Sequence, residues 1–118
     1  LQYWYINMKK LLDLDRNGNL WIAGSLTQGS SIKWKTDIRD FDERVLEKLL
    51  KIKVRRFRWK HNNQEDIGLI AEELPRELQH YNNGELEGFN FSRLVIYLLK
   101  AIQELYTECE KLKRRVGS

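Results

Sequence analysis

A serine and a lysine close together in the chain are the side chains best suited to chemistry. Ser30 follows Gly29, and Lys35 comes five residues after Ser30, in the stretch GSSIKWK. A serine hydroxyl needs a base to attack a peptide carbonyl, and a lysine amine can act as that base only when neutral. Because the reference pKa of lysine is about 10.4, a useful neutral fraction near pH 7.5 requires a pKa about three lower. A flexible linker in water does not provide that change, whereas a buried, assembled site does.

The chemistry that this pair suggests is acyl transfer to serine. Ser30 Oγ would attack the Gly29 carbonyl and form a transient ester, which water would hydrolyse. Gly29 has no side chain, so the backbone there can adopt a strained approach geometry. Ser31 is a second candidate nucleophile. Spacing alone is equally compatible with a serine-rich linker followed by an ordinary surface lysine.

The residues before the pair predict a β-hairpin and a linker. Apolar and polar residues alternate in 11–15, and apolar residues resume in 20–24, on the two sides of Asn17-Gly18. Asn-Gly tolerates the positive φ angles of a tight turn, so a hairpin is indicated. Residues 24–31 are small and polar, as is typical of a linker or a domain boundary.

The same hairpin residues partly imitate a calcium-binding loop. Asp13, Asp15 and Asn17 have the spacing of the first three ligands of such a loop. The twelfth position, where a bidentate glutamate is expected, is Gly24. A hairpin is therefore favoured over a metal site, and we expect neither a metal nor a cofactor.

The middle of the chain predicts short elements in alternation. A helix is expected after Asp40, which could cap it with Glu43 at the capping-box spacing. Pro75 is awkward inside a helix and indicates a kink or two short turns in its neighbourhood. The remaining expected elements are a strand over 54–60, a turn over 61–64, a strand over 67–70 that could run into a helix over 71–78, a turn over 81–84, and a short strand or loop over 86–89.

The last part of the chain predicts a long helix over 91–116, about 39 Å in length. Its apolar residues recur in steps of three and four, which is the a/d pattern of a coiled coil. The a positions are Val95, Ile102, Cys109 and Val116, and the d positions are Leu98, Leu105 and Leu112. So narrow a seam needs partner helices; the alternative is one amphipathic helix packed on its own domain. Leu94, Ile96 and Leu99 suggest that the first half packs on the domain. In isolation, β-branched a positions with Leu at d slightly favour dimers.

Composition limits the other function classes. The chain has 118 residues, 42% hydrophobic and 32% charged, which suits one domain with a real core. No apolar run approaches the roughly 20 residues that span a bilayer. One cysteine excludes an internal disulfide. The start at Leu1, without an initiator Met, suggests a fragment of a longer chain.

The net charge of +4 raises the question of nucleic-acid binding. Six basic residues fall between Lys51 and Lys60, and seven acidic residues follow between Glu65 and Glu87. The two groups could compensate each other within the fold, so we regard nucleic-acid binding as the third choice among the functions.

The order of these features resembles the intramolecular chaperone auto-processing domain at the C-termini of phage tailspikes, tail fibres and neck appendages. The resemblance covers roughly Asp13 to Leu112 and rests on residues 30–38, on GLIAEE at 68–73 and on AIQEL at 101–105. The family pattern has a serine, a lysine five residues later and a trailing isoleucine, which here are Ser30, Lys35 and Ile38. This chain departs from the pattern with Ser31 where Asp is common, Lys33 where Arg is common and Trp34 where an aliphatic residue is common. The spacing to Lys35 favours Ser30 over Ser31 as nucleophile.

The resemblance implies a homotrimeric α+β protein whose long C-terminal helix forms a three-stranded coiled coil. Residues 1–29 would be the end of a β-rich fibre or appendage, and 30–118 a chaperone released by a cut between Gly29 and Ser30. Its partners would be two further copies and the fibre part of its own chain. The expected location is a virion-associated precursor, made and processed in the host cytoplasm, whose chaperone fragment is released on maturation. A trimerisation module that has lost the reaction is the main alternative; a similar self-cleaving domain is also known in eukaryotic membrane-anchored transcription factors.

Overall fold

The computed structural model describes residues 2–6 and 9–117, which form two compact units that meet in the sequence between Asp40 and Phe41. The predicted ranges 1–29 and 30–118 each include residues outside the described part. A cut in the chain does not have to coincide with a boundary between units, so the predicted division at Gly29 stays a prediction.

The first unit contains a three-stranded antiparallel sheet in the order β1-β2-β3, which confirms the predicted hairpin as β2 and β3. The strands are β1 (Gln2–Ile6), β2 (Lys9–Leu14) and β3 (Leu20–Ile22). Gly18 has φ +83°, the conformation for which a glycine is needed. The hairpin register pairs Leu12 with Ile22 and Leu14 with Leu20.

Both carboxylate oxygens of Asp15, one of the three candidate calcium ligands, serve the hairpin itself. One Asp15 oxygen accepts the backbone N–H groups of Asn17 and Asn19 at 2.9 Å each, and the other accepts the Asn19 side-chain amide at 3.0 Å. Hydrogen bonds from Asn19, backbone first, lower the pKa of Asp15 below its usual value. Within residues 2–6 and 9–117 there is no cluster of His, Cys, Asp or Glu able to hold a metal ion.

The second unit combines two hairpins with two helices, so the fold class is α+β, as predicted. The hairpins pair β4 (Arg55–Arg58) with β5 (Glu65–Gly68) and β6 (Gln79–Asn82) with β7 (Glu85–Phe89). The helices are α1 (Leu46–Leu50) and α2 (Phe91–Gly117). Asn83 and Gly84, at the tip of the second hairpin, both have positive φ, in agreement with the predicted turn.

One helix prediction in the middle of the chain is wrong in extent, and one is settled in favour of its alternative. The helix expected after Asp40 begins only at Leu46, and its N-cap residue is Val45, so Asp40 caps nothing there. Residues 71–78 form two 3-10 turns, Ala71–Glu73 and Arg76–Leu78, which agrees with the two short turns predicted from Pro75 and not with a continuous helix. Pro75 separates them because it has no N–H with which to continue a helix.

The core of the second unit is small and lies between the two helices and the 3-10 turns. Its buried apolar residues are Val45, Leu74, Leu78, Tyr97 and Ala101. Phe41 packs on Tyr97 with 5.9 Å between ring centroids. Burial raises the pKa of Tyr97 above its usual value. Because Tyr97 and Ala101 lie four residues apart on the same side of α2, the core uses one face of that helix.

Helix α2 begins where Asn90 caps it. The Asn90 side chain accepts the N–H of Arg93 at 2.9 Å, and the Asn90 carbonyl accepts the N–H of Leu94 at 3.0 Å. Of the three residues expected to pack the first half on the domain, only Leu94 does so. Ile96 and Leu99 are 59% and 53% exposed, because the helical period directs them away from the face that carries Tyr97.

Candidate functional site

A 3-10 turn over Ile32–Trp34 connects Ser30 and Lys35. Two backbone hydrogen bonds define it, from the N–H of Trp34 to the Ser31 carbonyl at 3.0 Å and from the N–H of Lys35 to the Ile32 carbonyl at 3.1 Å. The Ser31 hydroxyl accepts the N–H of Lys33 at 3.3 Å and so acts as the N-cap of the turn. The chain bends back on itself between the two predicted site residues.

The turn brings the predicted nucleophile and base into contact. Lys35 Nζ donates a hydrogen bond to Ser30 Oγ over 2.6 Å, and both side chains are exposed. A nucleophile and its base must be within about 2.6–3.2 Å of each other, and the pair meets that distance. In the arrangement seen, the amine donates; as a base, the neutral amine would accept the hydroxyl proton instead.

Gly29 is open on its side-chain side. A Cβ built at Gly29 would meet nothing within 4 Å. Among the described glycines, positive φ is found at Gly18 and Gly84 and not at Gly29. Gly29 thus has neither a positive φ nor a close neighbour on its side-chain side in this structure of one chain.

The other cations near Lys35 in sequence have their own partners. Lys33 Nζ lies 5.1 Å from the ring centroid of Trp34, and Arg39 is ion-paired with Asp37 at 3.4 Å. Asp37 has φ +52°, a left-handed conformation that costs energy in a residue other than glycine. Ile32 and Trp34 are 74% and 71% exposed, so the apolar groups of the turn are uncovered.

The predicted coiled-coil seam runs along an uncovered side of α2. Cys109 is exposed, and the other seam residues are exposed by 46% (Val95), 48% (Leu98), 64% (Ile102), 52% (Leu105), 56% (Leu112) and 86% (Val116). The buried residues of the helix, Tyr97, Ala101 and Glu104, lie about a quarter turn away at 100° per residue. The helix packs on its own domain through this neighbouring face, and the seam residues stay largely exposed in one chain.

Strand β4, which lies in the basic segment 51–60, carries ion pairs with acidic residues of the segment 65–87. Arg55 binds Glu73 through two hydrogen bonds, of which the Nε contact is 2.9 Å, and Arg58 lies 3.4 Å from Glu65. The side-chain hydrogen bond with Arg55 lowers the pKa of Glu73. The acidic partners lie on a 3-10 turn and a strand, and not on the helix that the sequence suggested.

The capping roles of two polar residues, Glu104 and Ser31, were not predicted from the sequence. Glu104 is 7% exposed and accepts the N–H of Val45 across the core, and no local pattern indicates such a distant partner. Ser31 was weighed as a rival nucleophile, although a serine before a short turn is a recognisable cap.

In the described part of the chain, no helix has the length and apolar character needed to cross a bilayer.

Comparison with known proteins agrees with the resemblance. The model of a peptidase family, described as "Chaperone of endosialidase", matches residues 30–81. The match starts at Ser30 and contains Lys35, the turn between them and both 3-10 turns beside Pro75. A search of curated proteins finds no match. Residues 30–81 are thus similar to the chaperone family that the sequence resembles.

Proposed function

We propose that this chain is an intramolecular chaperone that trimerises a phage fibre or appendage protein and then releases itself by autoproteolysis between Gly29 and Ser30. The observation that carries the proposal is the 2.6 Å contact between Lys35 Nζ and Ser30 Oγ, inside the segment that matches the chaperone family. The family's peptidase name and its description as a chaperone agree with the two halves of the proposal.

The proposed reaction is a single turnover on the chain's own backbone. Neutral Lys35 takes the hydroxyl proton of Ser30 as Oγ bonds to the Gly29 carbonyl carbon. The peptide bond then breaks, its nitrogen receives the proton and becomes the amine of Ser30, and Gly29 is left as an ester on the Ser30 side chain. Water hydrolyses this ester, which leaves a carboxylate on Gly29 and restores the hydroxyl of Ser30.

Assembly is proposed to switch the reaction on. Lys35 is exposed in one chain. An ammonium group only donates hydrogen bonds and has no lone pair with which to take a proton from Ser30. Desolvation favours the neutral amine. The exposed Ile32 and Trp34 lie in the turn directly before Lys35, so a neighbouring surface that covers them would also remove water from around Lys35. Cleavage would then follow assembly and not precede it.

The seam of α2 is the proposed trimer contact. Seven a/d residues line one side of the helix and are uncovered in one chain, while a separate face holds the domain core. Because the two faces are distinct, the helix can pack on its own domain and on partner helices at the same time. The number three comes from the family resemblance, since the heptads by themselves slightly favour two strands.

The chaperone action would be largely physical. Three chains held together reach a roughly millimolar effective concentration with respect to one another, so pairing β-strands between chains becomes nearly intramolecular. Such non-local pairing is slow and exposes strand edges when unaided. An interlocked fibre can then persist kinetically after the chaperone leaves. The proposed partners are the sister chains and the fibre part of the same chain, in a virion precursor processed in the host cytoplasm.

A trimerisation module without the reaction is the second candidate, because the exposed seam supports assembly independently of the Ser30–Lys35 pair. Intact mass of the purified chain, with Ser30→Ala as the matched control, separates the two. We expect wild type to give a C-terminal fragment that starts at Ser30 and the variant to stay whole. An uncut wild-type trimer would favour the second candidate, and an uncut wild-type monomer would contradict both.

A further inference from the structure

We infer that Ser31 is a positioning residue for the proposed cleavage: its hydroxyl holds the turn that brings Lys35 to Ser30. The inference rests on the proposed function and assigns the second serine a task other than attack. It starts from the contact between the Ser31 hydroxyl and the N–H of Lys33 at 3.3 Å.

The distance between the two site residues depends on the turn. Five residue steps of extended chain span up to about 17 Å, which is too far for a lysine side chain to bridge. A 3-10 turn rises only about 2.0 Å per residue, so winding Ile32–Trp34 draws Lys35 back towards Ser30. The turn thereby makes the contact of 2.6 Å between Nζ and Oγ possible.

So short a turn has little stability of its own. Its two backbone hydrogen bonds close a single turn, and Ile32 and Trp34 are largely exposed and add little packing. The hydrogen bond from Lys33 to the Ser31 side chain satisfies an N–H that the first turn would otherwise leave to water. A cap is therefore a large part of what holds this conformation.

The backbone of Ser31 fits a cap as well as its side chain does. Ser31 has φ −65° and ψ 148°, the extended conformation of an N-cap residue, and its own carbonyl accepts the N–H of Trp34 at 3.0 Å. The Ser31 hydroxyl is thus occupied by the backbone N–H of Lys33. The Ser30 hydroxyl is instead engaged with Lys35, so the two adjacent serines have different tasks.

The test compares cap-competent and cap-deficient residues at position 31. Ser31→Ala removes the acceptor, whereas Ser31→Asn keeps an acceptor without adding charge beside Lys35. Wild-type and variant chains are assembled by dilution from denaturant, and fragment formation is followed by intact mass. We expect Ser31→Ala to slow cleavage by about fivefold and Ser31→Asn to stay within about twofold of wild type. The junction, the trimer mass and the pH dependence of the rate should be unchanged.

Several results would overturn the inference. Wild-type rates in Ser31→Ala, equal slowing in Ser31→Ala and Ser31→Asn, or a fragment that starts at Ser31 would each do so. If wild type is not cut, the proposed function fails separately, and the amide protons of Lys33 and Lys35 still test the turn by NMR. Loss of their protection from exchange in Ser31→Ala, with retention in Ser31→Asn, would support the positioning role; equal protection in both would refute it.

Discussion

Glu104 of α2 accepts the backbone N–H of Val45, the residue before α1, over 2.8 Å. The same carboxylate lies 3.5 Å from the N–H of Leu46 and 3.4 Å from Lys100 Nζ. A carboxylate at the start of a helix satisfies free N–H groups and complements the helix dipole. The long helix therefore supplies from a distance the cap that local residues do not provide.

Replacing Glu104 should destabilise the second unit. Glu104→Ala leaves the buried N–H of Val45 without an acceptor, and we expect the thermal midpoint of unfolding to fall by several degrees. Glu104→Gln keeps an acceptor and should have a smaller effect. Thermal unfolding followed by circular dichroism makes the comparison, with Glu110→Ala on the same helix as control. Equal midpoints for Glu104→Ala and the control would contradict a capping role.

The same contact predicts an acid-sensitive fold. The hydrogen bond from Val45 holds the pKa of Glu104 below its usual value, so its stabilisation is complete above the unfolded-state pKa of about 4.3. It is lost as pH falls through the lower folded-state pKa, because the unfolded state binds the proton first. Urea unfolding at several pH values from 7 to 3 should show less acid loss in Glu104→Gln than in wild type. Parallel pH profiles would refute this assignment.

The seam should control both assembly and cleavage. Leu105→Asp would place carboxylates in a desolvated contact, so light scattering should give the mass of one chain where wild type gives three. The fragment starting at Ser30 should disappear although the site itself is unchanged. Gln103→Asp adds the same residue on the exposed side of α2 away from the seam and should do neither. Efficient cutting by monomeric Leu105→Asp would exclude gating by assembly.

Lysine should be required at position 35 for its chemistry and not for its charge. Lys35→Arg keeps a cation, but a guanidinium stays protonated and cannot accept the proton of Ser30. We expect Lys35→Arg and Lys35→Ala to lose cleavage by at least about 100-fold, the lower end of general-base effects, while the oligomeric mass is retained. Intact mass over several days measures the residual rate. Lys33→Arg is the control and should be cut like wild type.

The basic segment 51–60, which contains β4, should not bind nucleic acid at physiological salt concentration. Arg55 and Arg58 are paired with Glu73 and Glu65, which reduces the charge available to phosphates. Fluorescence anisotropy with single- and double-stranded oligonucleotides at 150 mM salt should detect no submicromolar binding. Submicromolar affinity that weakens steeply with salt would favour nucleic-acid binding over the chaperone function.

The sequence by itself determined the features that depend on neighbours in the chain. Asn17-Gly18 specified a hairpin because its turn needs positive φ, and the heptad repeat specified α2 over nearly its full extent. The five-residue spacing from Ser30 to Lys35, read with the family pattern, selected the pair that the structure brings into contact. Each of these signals is local, so it survives without knowledge of the rest of the fold.

Tertiary structure alone decided which side of a regular element is used and where an element starts. Ile96 and Leu99 are apolar yet exposed, because Tyr97 and Ala101 already occupy the side of α2 that faces the core. The first helix starts at Leu46 because its N-terminal N–H groups find Glu104, far along the chain, and not the local Asp40. Contacts between residues distant in sequence produce no local pattern of residue types, so they can be identified only in the folded chain.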